Sequence, residues 1–534
     1  MQKYVIIIQN AVYTKGLCLV TSFSEKLKLK SLIESTRYKT SFISGVFFFL
    51  LIHLFRLTNS MPNHDALSNF YSSQNTIGSG RWFLSVACLP SSYFNLTWFI
   101  GVLCAFYIGL TCVLVVSIFS LQKKSSIIIT GGLIAAFPGI CETLLFDFTA
   151  DGYLLAMLFA AIAVKLTTVN DSRWYMYILA GLLLCLSCGT YQAYISFAAL
   201  LSLLYLILKI AEGEHRTKEL VRWALKQLAL FVVAVVAYYI IWQLCLKLQS
   251  TAATEYLGIS GAGGFGIATI IAAFRSIALT TARFYLGESF LTGTPSFYFV
   301  ANVLFILLLL VVLFIVIRKR KLCNKPSQLI LFIAALVIIP FAVFIWQFTS
   351  RGVSYGPRMM ESLALIYILP LALAEKHLNI SWQRTASVVL CAIIFLFSLQ
   401  SNIAYFYLNK CYEATYHTAS DMAHRIHMTC ESGEEKVAVI GRTVYDAEIS
   451  NHPLSVETET LRGTLKSTLA YDQHHISRFT SEVLGEHFEY AADDELTLLE
   501  QHSEIAEMDN WPSKDSVRLI DGFVVIKLAE PSEQ

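Results

Sequence analysis

Apolar residues in this chain gather into long, nearly uncharged blocks separated by short polar gaps. About eleven blocks approach the length of a bilayer crossing: roughly 40–57, 94–120, 126–140, 150–168, 174–190, 192–210, 227–247, 297–317, 328–348, 359–375 and 385–405. Several hold fewer than about 20 residues, so a full crossing needs tilt or extended ends. The N-terminal segment 1–39 carries Lys26, Lys28, Lys30, Arg37 and Lys39. The even-numbered gaps carry Lys123 and Lys124, Arg173, Arg216, Lys218 and Arg222, the run Arg318–Lys321, then Lys376 and Arg384. If the blocks alternate direction, all these cations share one side, which the positive-inside trend makes cytoplasmic. The other side receives the loop 58–93, a turn at 141–151, a tight turn at Tyr191–Gln192, loops at 249–296 and 350–359, and everything after about residue 406.

The polarity pattern changes after that point. The tail 406–534 holds eight of the twelve histidines and many acids. Tyr412–Cys430 has the spacing of an amphipathic helix, with Met422 and Ile426 on its apolar face. Lys436–Gly441 reads as a short buried strand, and Ser516–Leu528 as a hairpin turning at Asp521-Gly522. The predicted fold class is therefore an α-helical polytopic membrane protein with a small C-terminal α/β domain. Its organisation is a basic cytoplasmic segment 1–39, a transmembrane catalytic domain 40–405 with periplasmic loops, and a periplasmic domain 406–534.

Composition agrees: 56% of the 534 residues are hydrophobic and only 15% charged, too few charges for an ordinary globular chain. The near-neutral net charge leaves no nucleic-acid footprint. No cleavable signal peptide is expected, because Gln9, Asn10 and Lys15 interrupt Tyr4–Val20; that stretch reads as an interfacial segment. Cys185 and Cys188 lie inside an apolar run and read as packing residues, so no metal site and no cofactor are expected. Cys411 and Cys430 are expected as separate thiols, since a straight helix between them would hold them about 28 Å apart. The glycines at 258–266 lack a Gly-Lys-Ser/Thr ending and read as a flexible loop before an interfacial helix, Ile267–Leu286.

The cytoplasmic gaps are too short to house a nucleotide-sugar or ATP-binding domain. A group donor must then arrive through the membrane or from outside it, which points to a lipid-linked donor. Asp65, just beyond the first block, is the leading base; its structural alternative is a helix N-cap for Ala66–Ser73. Arg81 and Trp82 follow in the same loop, with headgroup packing as their alternative role. Asp147 and Asp151 flank the fourth block, where an acid is costly and often functional, though either could cap a helix; Glu142 reads as solvating the turn. Arg351 and Arg358 defy the positive-inside trend, and at least one of them suits phosphate recognition, the alternative being a structural pair with a loop acid. Tyr191 and Gln192 complete the candidate substrate-binding set. Asp493, Asp494 and Glu495 read as a solvated helix face rather than a metal-binding carboxylate pair, and His474-His475, which could bind metal, as exposed polar decoration.

The acid followed by Gly80-Arg81-Trp82, the turn Gly189-Thr190-Tyr191-Gln192-Ala193-Tyr194, the Pro357-Arg358 entry to a late block and the closing strand Gly522–Leu528 together resemble the serotype-converting O-antigen glucosyltransferases of bacteria and their phages. The resemblance runs over most of the chain from about residue 40; each motif is short, and their order and spacing carry the likeness. It implies a multispan glycosyltransferase of superfamily C in the bacterial inner membrane, with the active site and C-terminus periplasmic. It further implies a sugar donor on undecaprenyl phosphate, usually glucose, and a growing O-antigen as acceptor. Membrane lipid would surround it, and a flippase and a donor-lipid synthase would serve it. The superfamily's catalytic acid of the first external loop maps onto Asp65. The family often has two adjacent acids there, whereas this chain has His64-Asp65, which draws attention to Asp147 and Asp151. The competing classes are a transporter or lipid flippase, which calls for mid-membrane charges and an internal repeat, and an O-antigen polymerase.

Overall fold

The computed structural model describes residues 35–169, 173–254, 267–286, 295–348, 355–431, 433–442 and 469–528. The segment 1–34 and the glycine cluster at 258–266 lie outside the described residues. Each apolar block falls on a helix: α1 Thr36–Thr58, α2 Thr97–Phe119, α3 Lys124–Ala136 with α4 Pro138–Leu145, α5 Ala150–Thr168, α6 Trp174–Thr190, α7 Tyr194–Glu212, α8 Thr217–Leu248, α10 Pro295–Lys319, α11 Pro326–Val343, α12 Ala364–His377 and α13 Ile380–Thr429; α9 is the expected helix Ile267–Leu286. Nine helical segments among the described residues are long and apolar enough to cross a membrane. The protein is thus built as a polytopic membrane protein. Two of the eleven blocks fall short of that length, α6 with 17 residues and α12 with 14. At 1.5 Å per residue they reach about 26 and 21 Å.

Pro138 explains the break between α3 and α4. It lacks an N–H and pushes Phe137 into an extended conformation, φ −58° and ψ 136°. This broken pair lies almost wholly buried within the bundle. Helix α8 is mostly exposed, and its outer face shows Leu225, Leu228, Val232, Val233 and Ile240. Such a face suits hydrocarbon rather than water.

The basic gaps meet at one end of the bundle. Lys209 and Lys376 both pair with Glu212, at 2.7 and 2.6 Å. Arg320 donates to the carbonyls of Ala211 and Glu212, and Lys123 to Gln383. The opposite end gathers the loop after α1, the α4–α5 turn, the α6–α7 turn and the approach to α12.

Helix α13 is one continuous element of 50 residues, begun by Asn379, whose side chain accepts from the Trp382 N–H. It spans about 75 Å, so the last apolar block and the amphipathic segment of the tail form a single rod. The tail's sheet has the order β1-β3-β2, with β1 Lys436–Ile440, β2 Val517–Ile520 and β3 Phe523–Lys527. β1 runs parallel to β3 and β2 antiparallel to it. The hairpin turns at Asp521 and Gly522 with φ of +48° and +82°, the left-handed pair that a two-residue hairpin favours. Alternate residues serve two cores. Ala438, Ile440 and Val525 pack on Leu499, Ile505 and Met508. Val437, Val439, Val524 and Ile526 pack toward α13 and the short helix α14, Gln473–Phe479.

The second core is shared with the bundle. Met61, Leu67, Cys141 and Phe146 join Tyr405, Leu408, Met422, Val437, Ile476 and Phe479 in one apolar cluster. The tail is thereby fastened onto the first loop. Cys411, buried in this rod, and Cys430, half-buried just past its end, are separate thiols, as the rod's continuity requires.

Candidate functional site

The first loop folds back over the bundle end through polar turns. Asn63, fully buried, accepts the Ala66 N–H on Oδ1 at 2.8 Å and so starts the short turn Asp65–Ser68. The capping role open to Asp65 therefore falls to Asn63, and the helix expected over 66–73 shrinks to that turn. Asp65 keeps a carboxylate 52% exposed, with His64 Nε2 at 3.4 Å from Oδ1. It lines a cavity of about 240 Å³ together with His64, Arg81, Tyr153, Arg358, His474 and His475.

Two sequence motifs interlock to present Arg81. Gly80 adopts φ +82°, and a Cβ there would lie 2.4 Å from Tyr238 Oη and 2.6 Å from Gln192 Nε2. Gln192 Nε2 donates to the Ser79 carbonyl at 2.8 Å and to Tyr238 Oη at 3.0 Å. Trp82 sits tight against Gly189, whose carbonyl accepts the Phe83 N–H at 2.7 Å. Gln192 and Trp82 thus hold the scaffold and lie outside the cavity lining. Tyr191 stacks on Tyr153 at 4.2 Å, and the Arg81 guanidinium lies 5.3 Å and 5.8 Å from the two ring centres. Arg81 has no carboxylate partner among the described residues. We expect Gly80→Ala to lower turnover about 10²-fold by misplacing Arg81. Activity measurements should show the loss while size-exclusion chromatography in detergent still finds folded protein.

Arg358 reaches the cavity from a 3₁₀ turn, Pro357–Met359. It is 9% exposed and lies 4.2 Å over Phe146. Its backbone N–H donates to Glu142 Oε2 at 2.7 Å. Glu142 is fully buried, contrary to the expectation that it solvates a turn. Gly356 makes that possible, since a Cβ there would lie 2.7 Å from Glu142 Oε1. Glu361, also buried, accepts from Thr143 Oγ1 at 3.1 Å and lies against Gly139. Arg351 lies outside the described residues.

The other two candidate acids stand apart. Asp147 pairs with the fully buried Arg56 at 2.7 Å and accepts from Asn95 and Thr97 at 3.1 and 2.7 Å. Asp151 is fully buried on α5, with Oδ1 accepting from the Gly152 N–H at 2.9 Å. Neither lines the cavity. Asp147→Asn would strand the Arg56 charge, at a cost of about 3–5 kcal/mol. We expect that variant to lose folded protein in thermal unfolding; a stable but inactive Asp147→Asn would instead give Asp147 a part in the chemistry.

His474 and His475, expected as surface decoration, form a wall of the cavity. His474 Nε2 lies 3.3 Å from Ser68 Oγ, and the His475 ring 6.2 Å from that of His64. Burial holds the His64 pKa below the usual imidazole range; Asp65 opposes this, while His475 and Arg358 reinforce it. The lowered pKa favours the neutral imidazole beside Asp65. One half-exposed carboxylate and two permanent cations line the same cavity, which suits proton abstraction beside a bound anion. Among the described residues no three His, Cys, Asp or Glu side chains are grouped to hold a metal ion.

A family model described as glucosyl transferase GtrII matches residues 54–369, more than half of the chain. The chain belongs to the GtrII glucosyl transferase family. The matched segment of this glycosyltransferase includes Asp65, Arg81, Tyr153 and Arg358 and ends before His474 and His475. No curated protein and no solved structure compared with it gave a match.

Proposed function

We propose that the protein transfers a sugar, most simply glucose, from undecaprenyl phosphate to O-antigen on the periplasmic face of the bacterial inner membrane. The observation that carries this reading is the convergence of Asp65, Arg81 and Arg358 on one cavity in a member of a glucosyl transferase family. Asp65 takes the proton of an acceptor hydroxyl while that oxygen attacks the anomeric carbon. The bond from that carbon to the phosphate oxygen breaks, and its electron pair leaves on the lipid phosphate. Arg81 and Arg358 stabilise the departing anion, for which the guanidinium fork is suited. Attack from the face opposite the phosphate inverts the anomeric centre, so a β-linked donor gives an α-glycoside. A lipid-linked donor accords with a site at the end of an apolar bundle and with the short gaps at the basic end. The membrane domain 40–405 supplies Asp65 and both arginines, while the domain 406–534 closes the cavity.

Purified protein should transfer labelled sugar from a polyprenyl phosphate to lipopolysaccharide and should leave a nucleotide sugar untouched. Transfer from the nucleotide sugar with none from the lipid would overturn the donor assignment. The basic gaps predict that a reporter active only in the cytoplasm stays silent when fused after Gln534. A fluorescent fusion there would mean that the C-terminus, and with it the cavity, faces inward.

A further inference from the structure

The two sides of the cavity differ in origin and in chemistry. Arg81 and Arg358 stand on the bundle side, braced by Tyr153, Tyr191 and Phe146. A second wall belongs to the C-terminal domain, where α14 carries His474 and His475. Asp472 begins that helix. Its Oδ1 accepts the His475 backbone N–H at 3.0 Å and lies 2.7 Å from His475 Nδ1. The Tyr471 ring stacks on the imidazole at 4.1 Å, and the His475 side chain is only 14% exposed. An imidazole fixed through Nδ1 presents Nε2 as its remaining polar atom. The same lining includes polar, uncharged groups: Ser68, which lies 3.3 Å from His474, then Asn69, Gln74 and Thr76. Such groups suit hydroxyls rather than a phosphate. The shared apolar cluster that includes Ile476, Leu67 and Phe146 fixes the wall in place.

We propose that this wall is the acceptor subsite: His475, oriented by Asp472, and His474 beside it hydrogen-bond the acceptor saccharide and hold its hydroxyl toward Asp65. This rests on the glycosyl transfer proposed above. The donor phosphate occupies the arginine side, and the acceptor enters between the first loop and the C-terminal domain. The acceptor wall lies outside the segment 54–369 that matches the family, and the donor side lies within it. Asp472 is a positioning residue that acts through His475.

The test uses full-length protein in nanodiscs, with polyprenyl phosphate glucose as donor and lipopolysaccharide as acceptor. His475→Ala, His474→Ala and Asp472→Asn should each raise the acceptor half-saturation concentration, by up to about tenfold for one lost hydrogen bond. The donor half-saturation concentration should stay within about twofold, which also shows that the fold is intact. His475→Gln, which retains a hydrogen-bonding amide, should recover part of the loss. A rise in the donor value alone would overturn the proposal and move the histidines to the phosphate, and no change in either value would exclude contact with substrate. Calorimetric titration with free O-antigen polysaccharide separates this proposal from the donor assignment. If wild type binds the polysaccharide and the His474→Ala/His475→Ala double variant binds it more weakly, the acceptor wall stands even where no lipid donor is used. Equal binding, or no binding by wild type, overturns it.

Discussion

Asp65→Asn should reduce sugar transfer by about 10²–10⁴-fold, the usual contribution of one positioned base. The amide is nearly isosteric with the acid and cannot take a proton at neutral pH. The turn should survive, because Asn63 supplies the side-chain acceptor that begins it. The Asp65 carboxylate is half-exposed, with His64 beside it, so its replacement strands no buried charge. Folded yield in detergent should match wild type while O-antigen modification disappears from cells. Wild-type modification by Asp65→Asn cells would remove Asp65 from the chemistry.

The second large effect is expected at Arg81. Removing one donor that stabilises developing negative charge costs about 10²–10³ in turnover, and Arg81→Ala removes a guanidinium with no carboxylate partner among the described residues. Arg81→Lys should restore little, because a point charge reproduces neither the planar fork nor the stacking over Tyr153 and Tyr191. Steady-state kinetics with varied donor check this. Unchanged turnover in Arg81→Ala would leave the phosphate to Arg358.

Local pattern revealed what is local. The apolar blocks, the hairpin at Asp521-Gly522 and the strand at Lys436–Ile440 each follow from nearest-neighbour chemistry. Arg358 stood out because a cation on the side away from the basic gaps needs a reason. The rest depends on contacts across the chain. Ser68 and His474 are 406 residues apart, so nothing near His474 signals that it faces a cavity. Glu142 is buried because Gly356 leaves room for it, a fit that only the tertiary structure creates. The sequence does carry one signal of a distant pairing: Arg56 is a lone cation inside the first apolar block, and such a charge requires an anion. Asp147 is that anion, and the pairing explains why it stands apart from the cavity.

In the proposed reaction the bundle side of the cavity binds a lipid-linked sugar phosphate whose sugar is turned toward Asp65. An experimental structure of the Asp65→Asn protein with polyprenyl phosphate glucose bound tests this arrangement. Phosphate oxygens about 3 Å from both Arg81 and Arg358, with the anomeric carbon turned toward residue 65, are the expected result. A phosphate seated at the basic end of the bundle, or a sugar that leaves residue 65 facing solvent, would contradict it.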